Sequence, residues 1–406
     1  MLPIKVYVRQ VKEHGIFNAI KIFSLRILNL LLNYIILIFV HNRPLKNTII
    51  IASHDDFDNN GGVFYDWLIK HKYNQKYKIV WLLKHMDSLP VSLPQNVECY
   101  SIYMPSFRRN YHICTARCFL ADDKITDKTR KNQISIYCTH GMGSLKSPKG
   151  RIFIPNSVDY ILMPAKTYMP IVANAFSMTY PNKKFISLGY PANDYMYCNN
   201  DISELLKITI DTFRKVVIWM PTFRKSVMSC RNDSSKDTPL GIPLIMSFKE
   251  YLDLNEWLKS HDMLMIMKLH PNQILEDLKI KTLSNVIILT HRDMKKKEIN
   301  LYKLLSATDA LISDYSSAAG DYLHLDRPIA YVFDDINEYK IDLISDDIEQ
   351  VTAGDFIYNL SDMFDFLNDV YSDIDCYSEK RHKLRDFIFE YKDGDSCNRL
   401  AEFLKL

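Results

Sequence analysis

Short runs of consecutive apolar residues, each ending in a polar turn, recur along most of this chain. Asn47-Thr-Ile-Ile-Ile-Ala-Ser is one, Tyr77-Lys-Ile-Val-Trp-Leu-Leu another, and Ile134-Ser-Ile-Tyr-Cys a third. The pattern returns at Val216 to Met220, Leu264 to Leu269, Val286 to Leu289, Ala310 to Ser313 and Ile329 to Phe333. Runs this short, without polar alternation, read as strands buried on both faces. The stretches between them carry helical spacing: Gly62 to Lys70 has Val63, Trp67 and Leu68 apolar, and Tyr111 to Leu120 also reads as helical. Strand alternating with helix predicts an α/β fold, with parallel sheets covered by helices. The cycle restarts near Val216, so two such halves are expected. Ala192 to Arg214 reads as the linker, Met228 to Pro243 as an exposed loop, and Glu379 onward as a closing helix. The implied divisions are 1–46, 47–205 and 206–406.

Composition supports this and removes several classes. With 406 residues, 47% of them hydrophobic, the chain can fill two cores. The formal net charge of +3 argues against nucleic acid as partner, so any anion site must be local. Eight cysteines occur without a CxxC pair, which fits reduced thiols in a cytosolic compartment. Cys114 and Cys118, one helical turn apart, read as small residues on one helix face. Before the first strand, Ile27 to Val40 is a 14-residue apolar run broken by Asn29 and Asn33, short of the ~20 residues needed to cross a bilayer. Lys5, Arg9, Lys12, Lys21 and Arg26 precede it against Glu13 alone. No small-residue cleavage pattern follows. A basic, apolar helical segment of this kind is expected to lie on an anionic membrane surface; packing against the first half is the alternative.

Ligands of open α/β sheets bind beyond the carboxyl ends of the strands, and four of those ends carry unusual residues. Thr139-His140-Gly141-Met142-Gly143-Ser144-Leu145-Lys146 follows the third strand, and Pro221-Thr222-Phe223-Arg224-Lys225 follows Met220. His270-Pro271-Asn272 follows Leu269, and Ser313-Asp314-Tyr315-Ser316-Ser317 closes the run from Ala310. An imidazole at His140 can take a proton from an alcohol near neutral pH, beside glycines that admit a close ligand. His270 is held extended by the proline after it. Arg224 and Lys225 suit a diphosphate by charge and fork geometry. Ser316 and Ser317 with the start of the following helix would cradle phosphate, while Asp314 or Ser316 as a plain helix cap is the simpler account. Singly each has a structural explanation; together they suit transfer chemistry on a nucleotide diphosphate. No Walker motif, GxGxxG, HExxH or acidic cluster with metal-ligand spacing stands out.

In their order, these residues resemble the CDP-glycerol glycerophosphotransferase family, which makes teichoic acids and related phosphate-linked capsule polymers. The family's His-Gly-Thr-Pro-x-Lys resembles His140 to Lys146, and its Gly-x-Pro-Arg-Asn-Asp resembles Gly189-Tyr190-Pro191-Ala192-Asn193-Asp194. Pro-Thr-aromatic-Arg matches Pro221 to Arg224, and Lys-x-His-Pro matches Lys268-Leu269-His270-Pro271. The family's (Ser/Thr)-Asp-Tyr-Ser-Ser, Asp-Tyr-Leu and Pro-Ile match Ser313 to Ser317, Asp321 to Leu323 and Pro328-Ile329, and Asp393-Gly394-Asp395-Ser396 with Arg399 fits its ending. Two departures stand on the acceptor side: Met142-Gly143 replaces Thr-Pro, and Ala192 replaces Arg.

The resemblance implies a GT-B type α/β fold: two Rossmann-like domains facing a cleft, with an N-terminal helical membrane-associating segment. It implies transfer of glycerol phosphate or ribitol phosphate from a CDP-polyol to a lipid-linked or polymeric acceptor hydroxyl, releasing CMP at the cytoplasmic face of the membrane. His140 would be the general base and His270 would bind or protonate the diphosphate. Arg224, Lys225, Lys268, Ser313, Asp314, Ser316 and Ser317 would hold the donor phosphates; Gly141, Gly143, Lys146, Asn193 and Asp194 would serve the acceptor side or its loop. No resident cofactor is implied, beyond a loosely held Mg²⁺ on the diphosphate. The competing expectations are a GT-B glycosyltransferase using a nucleotide sugar and a non-catalytic scaffold on the membrane.

Overall fold

The computed structural model describes residues 4–139, 145–147, 149, 153–207, 213–226, 231–271, 273, 278–345 and 347–406. In the first lobe, β1 (Lys46–Ala52), β2 (Lys78–Leu83), β3 (Val97–Ser101), β4 (Ala116–Ala121), β5 (Ile134–Tyr137), β6 (Tyr160–Met163) and β7 (Phe185–Ser187) form a sheet in the order β3-β2-β1-β4-β5-β6-β7. All its ladders are parallel. The second lobe opens with β8 (Lys215–Trp219), then a two-residue antiparallel ladder of β9 (Lys225–Ser226) and β10 (Arg231–Asn232). β11 (Met263–Lys268), β12 (Val286–Leu289), β13 (Ala310–Ser313), β14 (Ile329–Val332) and β15 (Asp355–Ile357) join β8 in a parallel sheet ordered β12-β11-β8-β13-β14-β15. Each sheet reverses strand order beside its first strand, between β1 and β4 and between β8 and β13. That is the doubly wound arrangement, whose crevice lies at the reversal.

The helices are α1 (Ile4–Val40), α2 (Asn59–Lys70), α3 (Phe107–Thr115), α4 (Met169–Ala175), α5 (Ile202–Leu206), α6 (Phe248–Ser260), α7 (His291–Lys297), α8 (Leu301–Ser306), α9 (Ala318–Tyr322), α10 (Leu360–Tyr371), α11 (Ser378–Ile388) and α12 (Ser396–Phe403). Alternate strand residues enter different cores. Ile49, Ile51, Ile79 and Trp81 go to one face of the first sheet, Ile50, Val80, Leu82 and Phe119 to the other. Each such buried side chain contributes about 1.5–3 kcal/mol. Burial on both faces is why these strands read as unbroken apolar runs.

Two sequence expectations are corrected. Tyr111 to Leu120 is not one helix: α3 starts earlier, where Ser106 Oγ accepts the Arg109 N–H at 3.3 Å, and stops at Thr115, whose hydroxyl turns back to the Tyr111 carbonyl at 2.7 Å. From Ala116 the chain is extended and becomes β4, a central strand, so Cys114 and Cys118 share no helix face. Second, the apolar N-terminal run belongs to a single helix of 37 residues, of which Ala19–Val40 is long and apolar enough to cross a membrane by length and composition. Asn29, Asn33, Ile36 and Val40 recur at helical spacing and dock this helix on α3. Asn29 Oδ1 accepts from Arg109 at 2.8 Å and Asn110 at 2.7 Å, Asn33 Oδ1 from Asn110 at 2.8 Å, and Ile36 and Val40 bury against Cys114. The asparagines that interrupt the apolar run are its pegs.

The chain end returns to the first lobe. Phe403 meets Tyr160 edge-on at 4.9 Å between ring centroids, and Arg117 donates to the Lys405 carbonyl at 3.2 Å. α11 and α12 are separated at Gly394, which adopts φ +70° against the Tyr197 ring.

Candidate active site

The carboxyl ends of the two sheets meet. From the first lobe come the loop after β1 and the chain after β5; from the second come the ends of β8, β11, β12, β13 and β14. β8 stops at Pro221, which has no N–H to continue a ladder. Its neighbour β13 ends in Ser313 and Asp314, and one Asp314 oxygen accepts both the Thr222 N–H and hydroxyl, each at 2.9 Å. The same oxygen takes Arg224 Nη1 at 2.8 Å. Arg224 Nε pairs with Asp335 at 2.6 Å, and Nη2 lies 3.7 Å from Asp334. Nη1 also donates to the Thr222 carbonyl at 3.0 Å. Arg224 is 5% exposed and both Asp314 and Asp335 are 0% exposed. Burial works against the guanidinium charge, but Asp314 and Asp335 outweigh it and hold the group protonated well above its ordinary range.

This geometry redefines several candidates. Arg224 spends its donors inside the protein, as a strut joining three strand ends. Asp314 neither caps the helix nor reaches an imidazole; it ties the Pro-Thr turn to Arg224. Ser313 is wholly buried with its hydroxyl unpartnered. Asp335, absent from the sequence candidates, completes the strut; its signal was the carboxylate pair at the end of an apolar strand. Of Lys225 only the backbone, at the start of β9, is described.

What remains toward the crevice is a smaller set. β11 delivers Lys268, 8% exposed, and then His270, whose ring lies 4.7 Å from that of Phe223. Burial lowers the Lys268 pKa, offset in part by Asp58 and Asp55 across the crevice. Ser316 and Ser317 are half-buried on the far side of β8, and Ser316 Oγ accepts the Ala318 N–H at 3.3 Å. α9 has only five residues, so it supplies little dipole, and anion binding there falls to hydroxyls and N–H groups.

The facing wall is acidic. Asp55 lies 3.5 Å from His291 Nε2 and 3.6 Å from Lys295 Nζ, and Asp58 accepts from Asn300 at 3.0 Å. Burial raises the Asp55 pKa, but His291 and Lys295 outweigh it and leave the group lowered. Burial lowers that of His291 despite Asp55. Behind this wall Asp122, 1% exposed, accepts the Gly61 N–H at 3.1 Å and the His54 N–H, bracing the β1 loop. None of these residues stood out in the sequence: the partners of Asp55 and Asp58 lie on the other lobe, and those of Asp122 lie more than sixty residues away. Among the described residues no group of three or more His, Cys, Asp or Glu could hold a metal.

On the acceptor side, His140, Gly141 and Gly143 lie outside the described residues, as does Asn272. The chain enters that stretch at Thr139, buried and left-handed at φ +59°, whose carbonyl accepts from Asn60 Nδ2 at 3.0 Å. Lys146, beyond it, pairs antiparallel with Leu343 of the second lobe. The Gly189 to Asp194 motif makes contacts to both lobes and to α12. Gly189 adopts φ +77° where a Cβ would meet Ser396 Oγ at 2.3 Å. Ala192 is buried, its N–H on Asn60. Asn193 reaches Asp321 of the second lobe at 3.3 Å, and Asp194 caps α12 through Ser396 N at 2.9 Å and Cys397 N at 2.8 Å.

Comparison with known proteins agrees with this layout. The family model described as CDP-Glycerol:Poly(glycerophosphate) glycerophosphotransferase matches residues 35–406. A teichoic acid ribitol-phosphate primase of Bacillus spizizenii is 25% identical over 88% of this chain and 90% of its own length. A teichoic acid poly(glycerol phosphate) polymerase of the same organism is 22% identical over 87% and 90%. Among solved structures, the wall teichoic acid polymerase TagF superposes with a TM-score of 0.72 at 18% identity, covering 100% of this chain and 98% of that one. A TagF H444N variant soaked with CDPG gives 0.71 at 18% identity over 95% and 97%. The fold is therefore that of TagF: two parallel α/β sheets in a GT-B-like pair.

Proposed function

The chain belongs to the CDP-glycerol:poly(glycerophosphate) glycerophosphotransferase family, and from that premise we propose that it transfers a polyol phosphate from a CDP-polyol to an acceptor hydroxyl in teichoic-acid-type polymer synthesis. The acceptor oxygen attacks the β-phosphorus that bears the polyol, the bond to CMP breaks, and the hydroxyl proton passes to a base. The product is a phosphodiester. Such transfer rests chiefly on positioning and on neutralising charge.

The observation that carries this reading is the placement of Lys268 and His270 at one strand end and Ser316 and Ser317 at another, flanking the Pro-Thr turn of β8. A buried ammonium and an imidazole on one side of β8 and two hydroxyls on the other suit a diphosphate lying across the strand ends. His140 remains the proposed base on sequence grounds. Arg224, Asp314 and Asp335 position the turn. No resident metal is proposed, beyond a loosely held Mg²⁺ arriving with the diphosphate; assay with and without EDTA tests this. Incubation with CDP-glycerol, CDP-ribitol and a nucleotide sugar decides the reaction. CMP from a CDP-polyol supports it; a nucleoside diphosphate from the sugar donor alone overturns it in favour of a glycosyltransferase. The CDP-polyol turned over names the polyol.

We place the enzyme on the cytoplasmic face of the membrane, held by α1, where a lipid-linked or polymeric acceptor would be met. Leu30, Tyr34, Ile38 and Phe39 are 65–69% exposed on this helix, and Lys21 and Arg26 stand among its apolar residues. Docking through Asn29 and Asn33 holds the helix along α3, which favours lying in the interface over spanning it. Flotation on anionic liposomes, with and without residues 1–46, tests the attachment; equal behaviour overturns it.

A further inference from the structure

The segment after β14 runs from one lobe to the other. Asp335, near its start, pairs with Arg224 and accepts the Tyr315 hydroxyl at 3.2 Å. Tyr339 lies flat on Tyr315, with ring centroids 3.6 Å apart and planes 9° from parallel. Its backbone bridges Ser234, and Lys340 N donates to the Asp233 carbonyl at 2.9 Å; Asp233 N in turn donates to the Arg224 carbonyl at 2.8 Å. This end is fastened to the donor-side turn by charge, ring stacking and main chain.

The other end leaves the lobe. Leu343 pairs antiparallel with Lys146, Ser147 N donates to the Asp342 carbonyl at 2.8 Å, and Ile344 N donates to the Leu145 carbonyl at 2.8 Å. Leu145 is 2% exposed, so the bridge is seated in the core and not hung on the surface. The chain after β5 is thus held at Thr139 by Asn60 of its own lobe and at Leu145 to Ser147 by the other lobe.

We infer that residues 335–344 form a strap that sets the chain after β5 from the donor-side turn, with Tyr339 and Ile344 as positioning residues. The inference rests on the proposed reading that this loop serves the acceptor. Its consequence is that occupancy of the donor turn and alignment of the acceptor side are mechanically linked.

The test is CMP release from the CDP-polyol that the wild-type full chain turns over. Ile344→Pro removes one bridge N–H and Tyr339→Ala removes the stacked ring. Both are expected to lower kcat by up to about 10²-fold, since misplacement of about 1 Å has that effect. The donor KM should stay within about twofold, and Tyr339→Phe, which keeps the ring, within about twofold in both constants. Variants with near-normal kcat, or a loss carried entirely by the donor KM, would overturn the inference. Hydrogen exchange without substrate gives a second readout: Ile344→Pro should expose the Leu145 to Ser147 amides while β1 and β8 stay protected. Unchanged protection there overturns the bridge whatever the reaction. Absence of CMP from the wild type would instead overturn the functional reading, and the exchange result would still decide the strap.

Discussion

Replacing Arg224 by methionine separates two roles for this residue. The guanidinium stands 2.8 Å from Asp314 and 2.6 Å from Asp335. Lys236 stays with Asp334 at 3.0 Å, so the loss falls on the first two carboxylates. Both are wholly buried. Removing one partner of a buried pair costs about 3–5 kcal/mol, because the remaining charge is neither solvated nor matched. Against a domain stability of about 5–15 kcal/mol, Arg224→Met should fold but unfold at clearly lower urea. Urea titration followed by tryptophan fluorescence, with Trp219 buried on β8 as a reporter, measures this. A residue that gripped the donor directly would behave differently: donor KM would rise with stability untouched. That result, or a deficit under about 1 kcal/mol, would refute the strut.

Three further outcomes follow from the same geometry. Asp194→Ala removes the cap of α12 and should cost about 0.5–2 kcal/mol with kcat nearly unchanged; a large loss of kcat at normal stability would return Asp194 to the acceptor side. Asp321 is pushed by burial from 3.8 to about 7, against a hydrogen bond from Asn193. The unfolded chain ionises near 3.8 and the folded chain resists until about 7, so this group destabilises increasingly across that window, on the order of 4 kcal/mol when complete. Asp321→Asn should gain stability relative to wild type across it, and a pH-independent difference in urea midpoint would contradict this. Changing Asn29 and Asn33 together to leucine leaves buried Arg109 and Asn110 short of acceptors, at about 1–3 kcal/mol for an unsatisfied group. Proteolysis should then cut between residues 17 and 45 faster than in wild type; an unchanged rate would show that the apolar contacts alone seat α1.

The buried strands were legible because their signal is local. β1, β2, β5, β8, β11, β13 and β14 are runs of apolar residues, and burial on both faces leaves no alternation to misread; β12, at a sheet edge with half-buried middle residues, was legible from its four consecutive apolar residues alone. β3, β7 and β15 lie at sheet edges with half-exposed side chains, which erases that signal. β4 was read as helix because its first residues continue the composition of α3. Nothing in Ala116-Arg117-Cys118 announces a turn; the stop comes from Thr115 bonding back to Tyr111.

The site was legible as a location more than as a set of roles, and the reason is the same for each residue that changed role. A strand-end Arg, Asp or Ser has no sequence mark that tells a ligand from a strut. The distinction lies in whether its charge is met from inside, and the partners doing so are far away: Asp335 lies more than a hundred residues from Arg224, and α12 about two hundred from Asp194. Where the two lobes supply those partners, as at Lys146 with Leu343 or Asn193 with Asp321, motif residues join the halves. The pattern that identified the family is therefore partly a record of how the crevice is built. Under the proposed reading, Lys268, His270, Ser316 and Ser317 are the described side chains of the second lobe that meet a donor. An ammonium, an imidazole and two hydroxyls supply the positive charge and donors that a diphosphate requires, and Arg224 does its part by holding the turn between them.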